Sequence, residues 1–176
     1  MNIEQRLTEI RRESSSDAVG DPERFRRVAL TNTEMMTQGA AIQATLDANV
    51  EPLAAIGRDL ADRKIRRIVT VGCGDSWIAG HGVRPAIEEA LGAPCEPIEA
   101  FDFANYGLHT IDDETVVIGL SSSGKTEPVI DGLKDAAAKG AYTVALSNTV
   151  GSPLMEQCPG ALQIVATRDG WPTQSS

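Results

Sequence analysis

The sequence predicts an α/β fold: a five-stranded parallel sheet in order 2-1-3-4-5, flanked by helices and preceded by an amino-terminal helical extension. Three observations predict it. From residue 66 onward, short runs rich in β-branched residues alternate with helical patterns, as β-α-β units do. Gly- and Ser-rich turns follow the first and third of those runs. The second run contains Pro97, which cannot donate to a hydrogen-bond ladder, so that strand belongs at a sheet edge.

The strands read in order as "RIVTV" (67 to 71), "PCEPIEA" (94 to 100), "TVVIGL" (115 to 120), "AYTVAL" (141 to 146) and "ALQIVA" (161 to 166). An edge second strand is what the 2-1-3-4-5 order of a flavodoxin-like sheet requires. After strand one, "SWIAGHGVRPAIEEALG" is a poor helix, because Gly80, Gly82 and Pro85 interrupt it, and a kink is expected. The helix after strand three is better defined. Ser123 or Thr126 can cap it, Pro128 fits its first turn, Val129, Leu133 and Ala136 or Ala137 form an apolar stripe, and Gly140 ends it. After strand four a short helix is expected, with Ser152 as cap, Pro153 at its first position and Leu154 and Met155 as anchors.

Upstream, residues 22 to 63 carry helical spacing with a break at Asn49 to Pro52. Met35, Met36, Ile42 and Leu46 are expected to pack in the core or against another subunit. Residues 1 to 21 read as an arm and hinge, 64 to 167 as the α/β domain, and 168 to 176 as a loop after strand five. Because no helix follows strand five, the second sheet face must be covered by the amino-terminal helices or by a further segment or partner.

Composition narrows the function. The 176 residues suffice for one well-buried domain. A net charge of −9 argues against a nucleic-acid partner, since phosphate backbones need a clustered positive surface. The compact basic run "RKIRR" (63 to 67) reads as a solvated helix end. No apolar run approaches the roughly 20 residues of a membrane span, and Met1 opens without a signal peptide's apolar segment, so a cytoplasmic, membrane-free protein is expected. Cys73, Cys95 and Cys158 are widely spaced, which suggests reduced thiols and no metal site, and no cofactor is expected.

"GLSSSGKT" (119 to 126) satisfies the P-loop pattern G-x-x-x-x-G-K-[ST]. Strand, Gly/Ser loop and helix together favour an anion at the helix start. A nucleotide P-loop also needs a Mg²⁺-holding carboxylate on a neighbouring strand, and "YTVAL" ends instead in Ser147 and Asn148. The hydroxyls of Ser121, Ser122, Ser123 and Thr126 suit a single terminal phosphate. "VGCGDS" (71 to 76) ends strand one in the same way. In a 2-1-3 sheet the two loops meet at the topological switch point, where such sheets bind ligands.

The ordered series "VGCGDSW", "SSSGKTEPVIDGLKDAAAKGAYTVALSNTVGSPL" and "GWPTQSS" resembles the sugar isomerase (SIS) domain family over about residues 50 to 176. That family includes the isomerase half of glucosamine-6-phosphate synthase and fructoselysine-6-phosphate deglycase. The resemblance implies that Ser121, Ser122, Ser123, Gly124 and Thr126 hold the phosphate of a sugar or amino sugar. It implies that Cys73, Gly74, Asp75 and Ser76 contact the sugar, and that Trp171, Pro172, Thr173 and Gln174 line the site. Lys125 followed by Glu127 is closer to the deglycase branch.

Isomerisation or deglycation needs a base beside the carbonyl. The resemblance places the family's glutamate, lysine and histidine beyond residue 176, so the catalytic residues are unknown here. His81 and His109 read as structural, and Cys73 as substrate lining or a buried thiol. Asp75, Glu99, Asp102 and Glu127 are possible site carboxylates, with Glu99 and Asp102 equally able to cap "FDFANYG". The expected function is a sugar-phosphate-binding domain of a phosphosugar isomerase or deglycase, acting as a homodimer or higher homo-oligomer. The alternatives are a non-catalytic sugar-phosphate sensor and, behind it, a P-loop NTPase.

Overall fold

The computed structural model describes residues 22–166. Residues 39–166 make up one compact unit, and residues 22–38 belong to another. In chain order the elements are α1 (Pro22–Ala48), α2 (Val50–Leu60), β1 (Arg67–Gly72), α3 (Asp75–Leu91) and β2 (Cys95–Glu99). Short helical turns at Ala100–Asp102, Phe103–Gly107 and Leu108–Thr110 lead to β3 (Thr115–Leu120), followed by α4 (Glu127–Ala138), β4 (Tyr142–Ser147), α5 (Pro153–Gln157) and β5 (Gly160–Gln163).

All neighbouring strands pair in parallel, in the order β2-β1-β3-β4-β5. The central strands are apolar on both faces, as a parallel sheet covered on both sides requires. Val69, Val71, Val117 and Ala145 point to one face and pack with Phe103, Val129, Leu133 and Leu154. Ile68, Val116 and Val144 point to the other and pack with Ile56 of α2 and the half-buried Ile87 of α3. The face for which the sequence left a cover open is therefore covered within residues 39–166. Pro97 lies opposite Thr70 on the outer strand, where its missing donor faces no neighbour.

The break between α1 and α2 falls at Asn49, and its side chain explains why. The buried Asn49 donates through Nδ2 to the carbonyls of Thr45 and Gln163, both at 2.7 Å, while its Oδ1 accepts the Gln163 N–H at 2.9 Å. Thr45 Oγ1 accepts the Val165 N–H at 2.9 Å. These side chains take the place of a sixth strand along the outer edge of β5, leaving fewer open backbone groups there. β5 is accordingly shorter than the 161 to 166 run read from the sequence.

Two further elements differ in part from expectation. The segment after β1 is one continuous 17-residue helix, α3, running through Gly80, Gly82 and Pro85. Packing overrides propensity there: a Cβ at Gly80 would lie 2.5 Å from Thr70 Oγ1, so glycine is what lets α3 approach β1. On α1, Met35, Met36, Ile42 and Leu46 are 65, 81, 58 and 56% exposed, so among the described residues they are not core, and of the two expected roles subunit packing is left open. No described helix is long and apolar enough to cross a membrane.

Candidate functional site

The turn after β1 is shaped by two glycines. Gly74 has φ +54, and a Cβ on Gly72 would lie 2.8 Å from the Ser76 backbone, so the chain doubles back tightly into α3. Ser76 N–H closes on the Cys73 carbonyl at 3.2 Å, and the exposed Asp75 opens the helix. Gly74 precedes α3 without any side-chain cap.

Cys73 is half-buried beside the core. Burial pushes its thiol up to about 11, and the hydrogen bond to Glu99 and that carboxylate's charge push in the same direction. The thiol is therefore protonated at neutral pH, which rules against a resting thiolate nucleophile. Glu99 is a capping residue: its Oε2 accepts the backbone N–H groups of Phe101 at 2.8 Å and Asp102 at 3.4 Å. Sequence reasoning left open whether Glu99 served the site or a cap; the structure shows the cap.

The second loop, Ser121 to Thr126, leaves β3 beside β4 and enters α4. Ser121 is buried, and its hydroxyl is shared between Thr126 Oγ1 at 2.8 Å and the Gly124 N–H at 3.1 Å. Thr126 occupies the cap position of α4, yet its side chain does not cap the helix. Among the described residues, the N–H groups of Ser123, Thr126 and Glu127 meet no acceptor. Two of these donors lie at the start of the 12-residue α4 and the third in the loop before it, an arrangement able to hold an anion. Ser122 and Ser123 are half-buried along its rim, whereas Lys125 and Glu127 are exposed.

The loop after β4, unremarked in the sequence as part of the site, shapes this cradle from beneath. The Ser122 carbonyl accepts Ser147 Oγ, Thr149 Oγ1 and the Asn148 N–H, each at 3.3 Å. Leu154 N–H bonds the Gly124 carbonyl at 3.1 Å. Gly124 has φ +62, and a Cβ there would lie 2.0 Å from Ser152 Oγ. Ser152 was expected to cap α5; its hydroxyl instead makes no cap bond and lies buried under the loop without a hydrogen-bond partner. A signal existed in the sequence, since strand four must neighbour strand three in this topology and the run after it is rich in hydroxyls.

The two loops sit at adjacent strand ends, because Val71 of β1 is level with Gly119 of β3. Cys73 to Ser76 and Ser121 to Thr126 thus flank the switch point of the sheet. The strands on either side of β3 end in Gly72 and Ser147, so neither places a carboxylate at its tip for a P-loop's metal. His81 stacks edge-on against Trp77, with ring centroids 5.1 Å apart, and His109 Nδ1 contacts the Tyr106 carbonyl, consistent with structural roles. Trp171, Pro172, Thr173 and Gln174 lie outside the described residues.

The family described as SIS domain matches residues 60–170. The chain belongs to the SIS domain family. Among relatives, the SIS chain is 38% identical over 121 residues to the isomerizing glutamine--fructose-6-phosphate aminotransferase of Aquifex aeolicus, a match covering 69% of this chain and 20% of that protein. It spans about a fifth or less of the curated relatives it matches in this way. Because that relative is an aminotransferase, the deglycase branch suggested by Lys125 and Glu127 finds no support in it. A solved structure from Bacillus subtilis, assigned as a phosphosugar isomerase, superposes with TM-score 0.59 at 25% identity, covering 69% of this chain and 37% of that one. The carboxyl-terminal domain of glucosamine-fructose-6-phosphate aminotransferase from Francisella tularensis shares the fold, with TM-score 0.65 at 21% identity, over 74% of this chain and 38% of that one.

Proposed function

We propose that this SIS domain binds a phosphorylated sugar or amino sugar in the crevice between its β1 and β3 loops. The observation that carries the reading is the cradle of open N–H groups at Ser123, Thr126 and Glu127, beside the Cys73 turn. A phosphate held there is positioned by the α4 amino terminus, with the hydroxyls of Ser122, Ser123 and Thr126 within the same loop. The sugar would extend over Gly74, Asp75 and Ser76, and Trp171 and Thr173 are proposed to complete its lining. The aminotransferase relative and the phosphosugar isomerase structure support this ligand class.

The chemistry we assign to the full enzyme is aldose–ketose isomerisation or amino-sugar phosphate chemistry. Glu99, which with burial holds the Cys73 thiol protonated, accepts two backbone donors at the crevice. We therefore assign this domain to recognition, with the proton-moving groups supplied by a second SIS domain or another subunit. The exposed apolar residues Met35, Met36, Ile42 and Leu46 are proposed to pack against another subunit, which light scattering tests directly.

Calorimetric titration with fructose 6-phosphate and glucosamine 6-phosphate tests the binding reading. Wild-type protein should bind at least one, and Ser123→Ala with Thr126→Val should weaken it about 10- to 100-fold, the loss expected for hydrogen bonds to a charged group. Silence with both sugars and with inorganic phosphate would refute the proposal.

A further inference from the structure

The basic run 63 to 67, read from the sequence as a solvated helix end, takes part in something more specific. At the amino-terminal ends of β1 and β2 lies a cavity of about 600 Å³, lined by Arg66, Arg67 and Arg84 together with Pro94, Glu96 and Thr110. It is at the opposite end of β1 from Cys73, about 20 Å from Arg67 to Cys73 at roughly 3.3 Å per residue. Its size falls within the range of small-molecule sites, about 300–1,000 Å³.

The three guanidinium groups are held in place by partners around the cavity. Arg67, the first residue of β1, is bonded to Glu96 and Thr110 Oγ1. Arg66 is bonded to Asp112 and, through Nε, to Glu114 at 3.1 Å. Arg84 uses Nε on Glu88 Oε1 at 3.0 Å, and that same oxygen accepts the Cys95 N–H at 2.9 Å, which fixes α3 against the start of β2. These bonds leave donors unused. Both terminal nitrogens of Arg84 and Nη1 of Arg66 donate no hydrogen bond to any described residue.

Charge alone does not make the case. With Lys64 included, the four cations of this region are matched by Glu88, Glu96, Asp112 and Glu114, so attraction depends on donor geometry at close range. Positioned guanidinium forks recognise tetrahedral oxyanions bidentately, and the lining itself holds three arginines against one carboxylate. We infer that this cavity is a second ligand site, taking a small organic molecule through a phosphate or diphosphate group, separate from the crevice at the carboxyl ends of the strands. Its donors are the same whatever ligand the crevice takes.

The test is an NMR titration of the full ¹⁵N-labelled chain with pyrophosphate at low salt, alongside citrate. Amide shifts are expected at Arg67, Cys95 and Thr110, in addition to any at the Ser121 to Thr126 loop. Arg66→Gln with Arg84→Gln should weaken the first set about tenfold or more and leave the second unchanged, while Ser123→Ala should do the converse. Arg84→Lys, which keeps the charge and loses the fork, covers the case in which the double variant does not fold, and should weaken the first set several-fold. Shifts confined to the crevice loop would overturn the inference, as would an Arg84→Lys protein that binds pyrophosphate like wild type. Citrate shifting the same amides at lower concentration than pyrophosphate would overturn the phosphate assignment.

Discussion

Replacing Gly124 by alanine places a methyl group in the tightest contact of the Ser121 to Thr126 loop. The new Cβ would lie 2.0 Å from Ser152 Oγ and 2.4 Å from Ser152 Cβ, with Ser147 Oγ next at 3.0 Å. Two costs add. Holding a non-glycine residue at φ +62 costs about 1–2 kcal/mol, and forcing a methyl into a packed position costs about 1–3 kcal/mol more. Gly124→Ala should therefore destabilise the protein by about 2–5 kcal/mol in urea unfolding followed by tryptophan fluorescence. The two costs separate in a Ser152→Gly background, which removes both short contacts and leaves the backbone strain. Since Ser152 makes no side-chain cap bond, Ser152→Gly alone should cost only a few tenths of a kcal/mol from capping. In that background Gly124→Ala should cost only about 1–2 kcal/mol. Equal costs in both backgrounds, or a Gly124→Ala cost below about 0.5 kcal/mol, would refute the claim that the β4 loop packs directly beneath the cradle.

Asn49→Ala removes two hydrogen bonds to Gln163 at the outer edge of β5 and one to the Thr45 carbonyl, and should cost about 2–4 kcal/mol, with faster hydrogen exchange at Gln163 in the variant. Cys73 titrates near 11 in the folded protein against about 9 unfolded, so the neutral thiol's contribution is complete below pH 9 and is lost as pH rises toward 11. Unfolding measured across that window should show a decline that Cys73→Ser reduces, and iodoacetamide should label native Cys73 slowly at pH 7.5. Tyr142, pushed up to about 12 by burial and by its hydrogen bond to Asp59, carries the same sign between about 10 and 12. Tyr142→Phe should cost about 1 kcal/mol through loss of that 2.8 Å bond, measured in the same unfolding assay.

The parts of the fold legible in the sequence were those written in local pattern. β-Branched runs located the strands, and Pro97, by lacking a donor, marked the edge and with it the strand order. α3 runs on through Gly80 and Pro85, which propensity rules treat as interruptions, because Gly80 serves the approach to Thr70, ten residues away on another element. The same limit applies to the site. The Ser121 to Thr126 loop and the Cys73 turn announce themselves by glycine spacing. Ser147 and Ser152 do not, because their partners Ser122 and Gly124 are 25 and 28 positions away, brought together only by β3–β4 pairing.

That non-local support also explains how one run of letters fits two phosphate chemistries. In a nucleotide-binding P-loop the lysine reaches the phosphates and a strand-end carboxylate serves the metal. Here the Lys125 side chain is exposed, its N–H is held by Ser123 Oγ at 3.2 Å, and the neighbouring strands end in glycine and serine. The shape of the loop is set instead by three donors on the Ser122 carbonyl and by the close approach of Ser152 to Gly124. A loop fixed from below in this way presents its N–H groups upward without needing a cation to organise them. In the proposed site Lys125 would then contribute mainly long-range attraction, which salt screens, while the N–H groups and hydroxyls would determine how tightly and in what orientation a phosphate sits.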